Sequence, residues 1–491
     1  MSQRIALLLT LVVVLSLAAC AGPTPAPPAT EAPVATEAPA ATEAPAATEA
    51  PAATEAPAAT EAPAVAGEVQ YEDTPVTEIS ILWAEWDPAD YLQQIGNMYE
   101  QETGVKVNVV QEPWPSFGDR FFTEMAAGGD AWDMVVGDSQ WLGQGATQGH
   151  YLNLTDFLVG EGIADTVTEA TLTYYGEYPT GSGQYWAFPT EGDADGWAYR
   201  KDLFEDPAEM EAFKAQYGYD LAVPKTYKEL VDIANFFTRP DAGLYGVAIY
   251  TQKDYDAITM GVENTMFSWG AEWQDPATNE VLGIVNSKES VEAVQAYRDL
   301  YACCQVPGLS NAFFVDTNDA FISGQAVMSM NYFAFFPALA TPDINPHAEN
   351  TGFFANPAGP YGEQYAALGG QGMSVISYIS PERQAAARNF IRWFAQERVQ
   401  AEWAALGGYT CNTKVLQSDA FLSATPFNPA FAETMGFVKD FWNIPVYGEL
   451  LEVTQRELHK FIVEGVGDAQ TTMDTIAQEH DQILRDNGFI Q

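Results

Sequence analysis

Between residues 77 and 137 the hydrophobic period switches from two to 3.6 and back, twice over, and this alternation restricts the fold more than any other stretch of the chain. Thr77 to Ala84 reads as a strand, and Tyr91 to Glu102 as a helix with Leu92, Ile95, Met98 and Tyr99 on one face. Val105 to Gln111 is a second strand, Phe117, Phe121, Phe122 and Met125 mark a second helix, and Met134 to Gly137 is a third strand. Strands joined through helices by short connections predict a parallel α/β unit with right-handed crossovers. In such sheets a ligand sits beyond the carboxyl ends of the strands.

Tryptophan collects at those ends. Trp83 and Trp86 follow the first strand, Trp114 follows the second, and Trp141 follows the third beside Asp138, Ser139 and Gln140. A sugar ring offers a face of C–H groups and a rim of hydroxyls, so indoles can stack on the face while carboxylate, hydroxyl and amide groups bind the rim. The competing expectation is that these indoles fill the core above the sheet.

The amino terminus sets the compartment. Arg4 and the apolar run from Ile5 to Leu17 lead into Leu17-Ala18-Ala19-Cys20, too short and one-sided for a membrane span and matching a lipoprotein signal with cleavage before Cys20 and a lipid on its thiol. From Ala21 to about Gly67 the chain is almost only Ala, Pro, Thr and Glu, with TEAPAA-type repeats starting at Thr30, Thr36, Thr42, Thr48, Thr54 and Thr60. A six-residue period with a proline in each unit cannot build a stacked core, so residues 21–75 are expected to be a disordered tether reaching on the order of 100 Å at ~3 Å per residue.

The rest, roughly 420 residues, is long enough for two domains. Outside Arg4 and the six glutamates of the repeats it holds 61 acidic and 20 basic residues, a formal charge of −41. That surface repels nucleic acid and anionic lipid at long range and favours a neutral or weakly charged ligand.

Several segments, in this order and spacing, resemble the extracellular solute-binding proteins of bacterial ABC importers, in the maltose-binding-like carbohydrate-uptake class. They are ISILWAEW, WDMVVGDSQWL, WAFPTEGDADGWAYRKDLF, TYKELVDIANFFT, FISGQAVMSMNYFAFFP, GGQGMSVI and SPERQAAARNFIRWFAQERVQAEWAALGGY, between about Val76 and Gln491. The resemblance implies two α/β lobes joined by crossing strands, a periplasmic-binding-protein-like fold with the ligand clamped between the lobes. Lobe I is expected over residues 76–190 and 370–412, lobe II over 191–369 and 413–491. It further implies a monomer that delivers its ligand to permease subunits, with ATP hydrolysed by a separate partner.

Local signals agree. Thr226 to Glu229 is a capping box, Ser380-Pro381-Glu382 a helix start, and Ser287 to Cys304 and Leu450 to Ile462 are further helices. Crossings between lobes are expected near Pro189-Thr190-Glu191, near Leu368 to Gln371, where Gly370 and Gln371 are candidate ligand-facing residues, and around Tyr409 to Thr413. By resemblance, Asn331 and Tyr332 fall where the family places a cleft aromatic, and Trp269 and Trp273 where the second lobe adds stacking.

Glu191, Asp193 and Asp195 admit three readings: hydroxyl-binding carboxylates at the cleft edge, part of a calcium loop with Asp202 at its twelfth position, or the acid and base of a surface-anchored glycosidase. The first is preferred, with Glu191 and Asp193 as ligand groups. The histidines His150, His347, His459 and His480 lack metal-ligand spacing, and no serine elbow or Walker loop occurs, so neither catalysis nor a cofactor or metal is expected. A phosphorylated polyol such as glycerol 3-phosphate would need basic side chains that the site segments barely contain. With Cys20 lipidated, Cys303, Cys304 and Cys411 remain. A bridge inside the second lobe, Cys304 to Cys411, is the preferred pairing, and a vicinal Cys303–Cys304 bridge its rival.

Overall fold

The computed structural model describes residues 70–490. The expected signal peptide 1–20, Cys20 and the repeats lie outside them.

Strands β1 (Glu78–Ala84), β2 (Lys106–Glu112) and β3 (Met134–Asp138) are joined by helices α1 (Asp87–Thr103) and α2 (Trp114–Ala126), so the alternation of hydrophobic periods forms the elements it predicts. Both β2 and β3 run parallel to β1, in register Glu78 to Lys106 and Ile81 to Met134. Helix α1 begins four residues before Tyr91, because Asp87 and Pro88 supply a first turn whose missing donor costs nothing and whose acid faces the positive helix end. It ends at Gly104, at φ 79, where a side chain would be strained.

Two sheets organise the described chain. The first has the order β2-β1-β3-β10-β4, in which β4 is Phe188–Glu191 and β10 is Gln371–Val375, antiparallel to both its neighbours. The second has the order β6-β7-β5-β8, from β5 (Asp195–Arg200), β6 (Tyr245–Ala248), β7 (Ala326–Tyr332) and β8 (Thr351–Ala355). A short parallel pair, β9 (Ala366–Ala367) with β11 (Val438–Lys439), lies apart from both.

The chain leaves the first sheet at Glu191 and enters the second at Asp195. It returns through residues 368–370, which join β9 to β10, and Ala194 bridges Leu368 there. At the third segment Gly192 N–H donates to the Tyr409 carbonyl at 2.7 Å, and the Tyr409 hydroxyl donates to the Phe333 carbonyl at 2.6 Å.

Helix α3 (Tyr227–Phe237) carries the capping box between Thr226 and Glu229 and packs so closely on β6 that a side-chain carbon at Gly246 would lie 2.2 Å from the Ala234 carbonyl. Helix α4 (Ala257–Ser268) is buried along its whole length, polar residues included, which places it at the centre of the second lobe. Helix α5 (Lys288–Cys304) is capped by Ser287, and α6 (Pro381–Phe394) by Ser380. Among the described residues no helix is long and apolar enough to cross a membrane.

Two expectations change. The tether was expected to run to residue 75, but Glu72 is fastened to α6: its carboxylate accepts from Arg388 Nε at 2.7 Å, and its backbone exchanges hydrogen bonds with Asn389 at 2.8 and 2.9 Å. The second concerns the disulfide. Cys304 is bonded to Cys303, and Cys411 is a buried free thiol, so the Cys304–Cys411 pairing is replaced by its vicinal rival. The reason is where the chain puts Cys411, against Gly192 in the crossing region and beside Thr171, instead of near the end of α5. Burial and the nearby Glu191 push the Cys411 thiol well up. Mapping of the unreduced protein is expected to yield a Cys303–Cys304 peptide short of two hydrogens. Cys411 is expected to react with iodoacetamide only after unfolding, and its alkylation in native buffer would contradict this burial.

Candidate functional site

A cavity of about 450 Å³ opens where the carboxyl ends of β1 to β3 face the second lobe across the crossing segments. Its volume falls in the range of about 300–1,000 Å³ usual for small-molecule sites. The first lobe contributes Trp86, the N-cap of α1, Trp114, the first residue of α2, and Asp138, Ser139 and Gln140 at the end of β3. The opposite wall is the segment 252–256, with Met260 on α4, Phe313 and Phe314, Tyr332 at the end of β7, and Phe335. Leu368, Gly369, Gly370, Asp193 and Phe441 form the floor.

The aromatic rings make a continuous ladder. Trp83 packs edge-on against Trp86 at 5.5 Å between centroids, Trp86 against Trp114 at 5.4 Å, and Trp114 against Tyr255 of the second lobe at 5.8 Å. The Trp86 Nε1 donor is buried without a partner.

Polar groups also span the cleft. The Tyr255 hydroxyl donates to Asp138 Oδ2 at 3.1 Å, and Gln140 Nε2 donates to Asp256 Oδ2 at 3.1 Å. The lobes are therefore in direct contact over the cavity. Tyr255 and Asp256 hold left-handed backbone, φ 50 and 60, which turns both side chains out of the loop just before α4. Strain of this kind persists only where surrounding contacts over-determine it.

Burial raises four acids at or beside the cavity. It pushes Asp138 up to about 6 although Gln371 and Tyr255 donate to it, Asp193 up to about 8 against donors from Ala194 and Ala334, and Asp440, beside Ser139, up to about 7. Asp256 is also raised well above the carboxylate range, by burial and then by the neighbouring Asp138 and Asp440. Among the described residues no Lys, Arg or His lines the cavity.

Eight of the candidates read from the sequence meet at this cavity: Trp86, Trp114, Asp138, Ser139, Gln140, Asp193, Tyr332 and Gly370. The others lie elsewhere, each for a visible reason. Trp83 is wholly buried and donates its N–H to Gln371, whose amide in turn donates to Asp138, so Gln371 positions a wall residue from behind. Trp141 is buried under the cleft, stacked on Phe121 at 5.7 Å and touching Phe117 and Phe122, because the 3-10 turn Ser139–Trp141 points it back into the first lobe. Trp269 packs on Tyr227, and Trp273 donates to Glu263 Oε2 at 3.1 Å beside Trp442, both inside the second lobe. Asn331 is fully buried and bonds Phe314, Thr317 and Asn318, which fixes the start of the helix Phe314–Ile322.

Glu191 is fully buried outside the wall, both carboxylate oxygens unpartnered, and its carboxyl is raised well above the usual range by burial and then by Asp193. Asp195 accepts from Asn264 and Asp202 pairs with Arg200 at 2.6 Å, so these acids do not converge as a calcium loop would require. The glycines of the return crossing are there for close approach: a side-chain carbon at Gly369 would lie 2.2 Å from the Tyr332 ring, and one at Gly370 2.1 Å from the Tyr175 hydroxyl.

Residues 94–430 match the bacterial extracellular solute-binding protein family. The chain belongs to that family. A Deinococcus radiodurans protein named as a probable ABC transporter-binding protein is 24% identical over 342 residues, 69% of this chain and 76% of its own. The fold of this solute-binding protein is that of a ribitol-bound solute-binding protein from Agrobacterium radiobacter K84, at TM-score 0.70, 22% identity and coverage of 84% of this chain and 99% of the other. It is likewise that of maltose-bound T. maritima MalE3, at TM-score 0.69, 23% identity and coverage of 83% and 100%. This solute-binding protein thus has the two-lobe fold that the resemblance implied.

Proposed function

We propose that this chain captures a polyhydroxylated solute, a sugar or a polyol, between its lobes and delivers it to the permease subunits of an ABC importer whose ATPase supplies the energy. The observation that carries this reading is the composition of the cavity: ring faces of Trp86, Trp114, Tyr255 and Phe335 beside carboxylate, amide and hydroxyl groups, with no basic side chain on the wall. Rings bind the C–H face of a sugar, and fixed acceptors sort its hydroxyls. Relatives in the same fold hold ribitol, maltose and D-mannitol, and the Deinococcus relative is named for an ABC transporter.

The same wall argues against a phosphorylated polyol: helix N-termini do meet at it, but no cation lines it among the described residues, and Asp138, Asp193, Asp254 and Asp256 would face the phosphate. It also argues against a glycosidase. Glu191 lies off the wall, and Asp193 Oδ1 is occupied by the backbone N–H groups of Ala194 and Ala334 at 2.9 and 3.1 Å, so the pair does not flank a space for a scissile bond. In this reading lobe I is 76–190 with 370–412, lobe II is 191–369 with 413–491, the crossings are the hinge, and ligand contacts with both lobes favour the closed form the permease meets. The protein works as a monomer held to the outer face of the cytoplasmic membrane through Cys20.

The test is calorimetric titration of residues 68–491 with neutral mono- and oligosaccharides, polyols and glycerol 3-phosphate. Saturable binding of a sugar or polyol without turnover is expected. Binding of glycerol 3-phosphate alone, or hydrolysis of a glycan, would overturn the reading.

A further inference from the structure

Closure of the cleft brings two carboxylates together from opposite lobes. Asp138 ends β3 of the first lobe, Asp256 precedes α4 of the second, and both lie on the cavity wall, Asp256 buried and Asp138 half-buried, close enough to repel one another. Tyr255 and Gln140 each donate one neutral hydrogen bond across the gap, to Asp138 and Asp256 respectively. The other titratable groups facing this pair are acidic or phenolic: Asp193, Asp254 and Asp440 at or beside the cavity, Glu191 and Glu263 behind it, and the hydroxyls of Tyr151, Tyr255 and Tyr447. Lys253, the one cation of the adjoining loop, is exposed and off the wall.

Two such acids with no cation between them resist closure unless a proton or a positive charge joins them. A neutral sugar donates hydroxyls but leaves the charge uncompensated. A cation supplies both, and the electron-rich faces of Trp86, Trp114 and Tyr255 in the same wall attract it further. We propose that the ligand is a polyhydroxylated amine, an amino sugar or amino polyol, whose ammonium group bridges Asp138 and Asp256 and so couples capture to closure. This rests on the reading of the cavity as a sugar or polyol site and narrows it. With the cleft shut as here, Asp138, pushed up to about 6 by burial, holds a proton in mild acid that an ammonium must displace, so affinity for an amine should weaken as pH falls from 7.5 to 5.5, while affinity for a neutral sugar should not.

The experiment is calorimetric titration with matched series: glucosamine, galactosamine and the free-amine glucosamine disaccharide, each against its N-acetyl and its hydroxyl counterpart, in the wild type, Asp138→Asn and Asp256→Asn. The amine member is expected to bind roughly tenfold or more tighter than its neutral counterparts, as one charge-assisted hydrogen bond supplies. That advantage should shrink to within about threefold in either variant, and binding should weaken on acidification. Neutral members that bind as tightly as the amine, or an amine preference that survives both substitutions, would overturn the proposal and leave sugar capture standing. If no member of any series binds, this proposal falls, and the sugar-or-polyol reading is decided by the wider titration described above.

Discussion

Trp141→Ala is expected to cost the folded protein about 3–5 kcal/mol, the usual penalty for removing a buried large aromatic, and to leave ligand affinity within about threefold of wild type. Trp141 is 4% exposed, stacked at 6° on Phe121 and closed in by Phe117 and Phe122, so its loss opens a cavity inside the first lobe. At 2–4 °C per kcal/mol, the midpoint of thermal unfolding should fall by roughly 10 °C. Trp114→Ala should do the reverse. Its ring is half-buried on the cavity wall between Trp86 and Tyr255, so truncation should weaken binding of the ligand found by titration about 30-fold, the scale of a hot-spot residue, at little cost in stability. Thermal melts and titrations on the two variants separate the roles, and strongly weakened binding in a fully stable Trp141→Ala would reverse them.

The ligand-free protein is expected to be most stable in mild acid and to lose stability as pH rises from about 6 to 8.5. Asp138, Asp440 and Asp193 are raised by burial to about 6, 7 and 8, and Glu191, Asp195, Asp256 and Glu263 are raised in the same direction. Such acids bind a proton more tightly folded than unfolded. Their contribution is therefore complete below the unfolded carboxylate range near 4 and is lost as pH climbs through each folded value, by up to ~1.4 kcal/mol per pH unit and group.

Opposing shifts act lower down. His480, buried and lowered to about 4, removes stability as pH falls below its usual 6.5, and Glu72 and Glu102, held low by Arg388 and Arg398, remove it in stronger acid. Above pH 6.5 the raised acids act unopposed by these groups. A midpoint at least roughly 5 °C higher at pH 6 than at pH 8.5 is the expected result, with a flatter dependence in Asp193→Asn. A midpoint that rises with pH over this interval would show that the buried acids are ionised and compensated in the folded state.

The tryptophan variants touch one of the places where sequence reasoning stopped short. The alternation of periods from Thr77 to Gly137 fixed three strands and two helices because each element has its own partner face, and the capping box at Thr226 and Glu229 marked a helix start because both bonds are local. The direction of an indole is not local. Trp83 stands inside the end of β1 while Trp86, Trp114 and Trp141 follow strands, and Trp83 and Trp141 turn into the first lobe where Trp86 and Trp114 line the cleft, as strand alternation dictates for the first and the local chain after each strand for the others.

The second-lobe wall was missed for a related reason. Gln252 to Asp256 carries no period, and its role depends on left-handed backbone at Tyr255 and Asp256, residue types for which sequence gives little warning. The acidity of that segment was the one available signal. The disulfide failed on geometry: spacing of cysteines says nothing about Cys411 lying against Gly192.

The attachment of Glu72 to α6 has a mechanical consequence. Arg388, Asn389 and Arg392 bind it to the same lobe that holds β1 to β3, so tension transmitted from the preceding chain enters the molecule through α6 and not through the segments at 192–194 or 368–370. Under the anchoring proposed above, a pull from the membrane would load one half of the clamp without prying the halves apart, and the grip on cargo would be left to chemistry in the cleft.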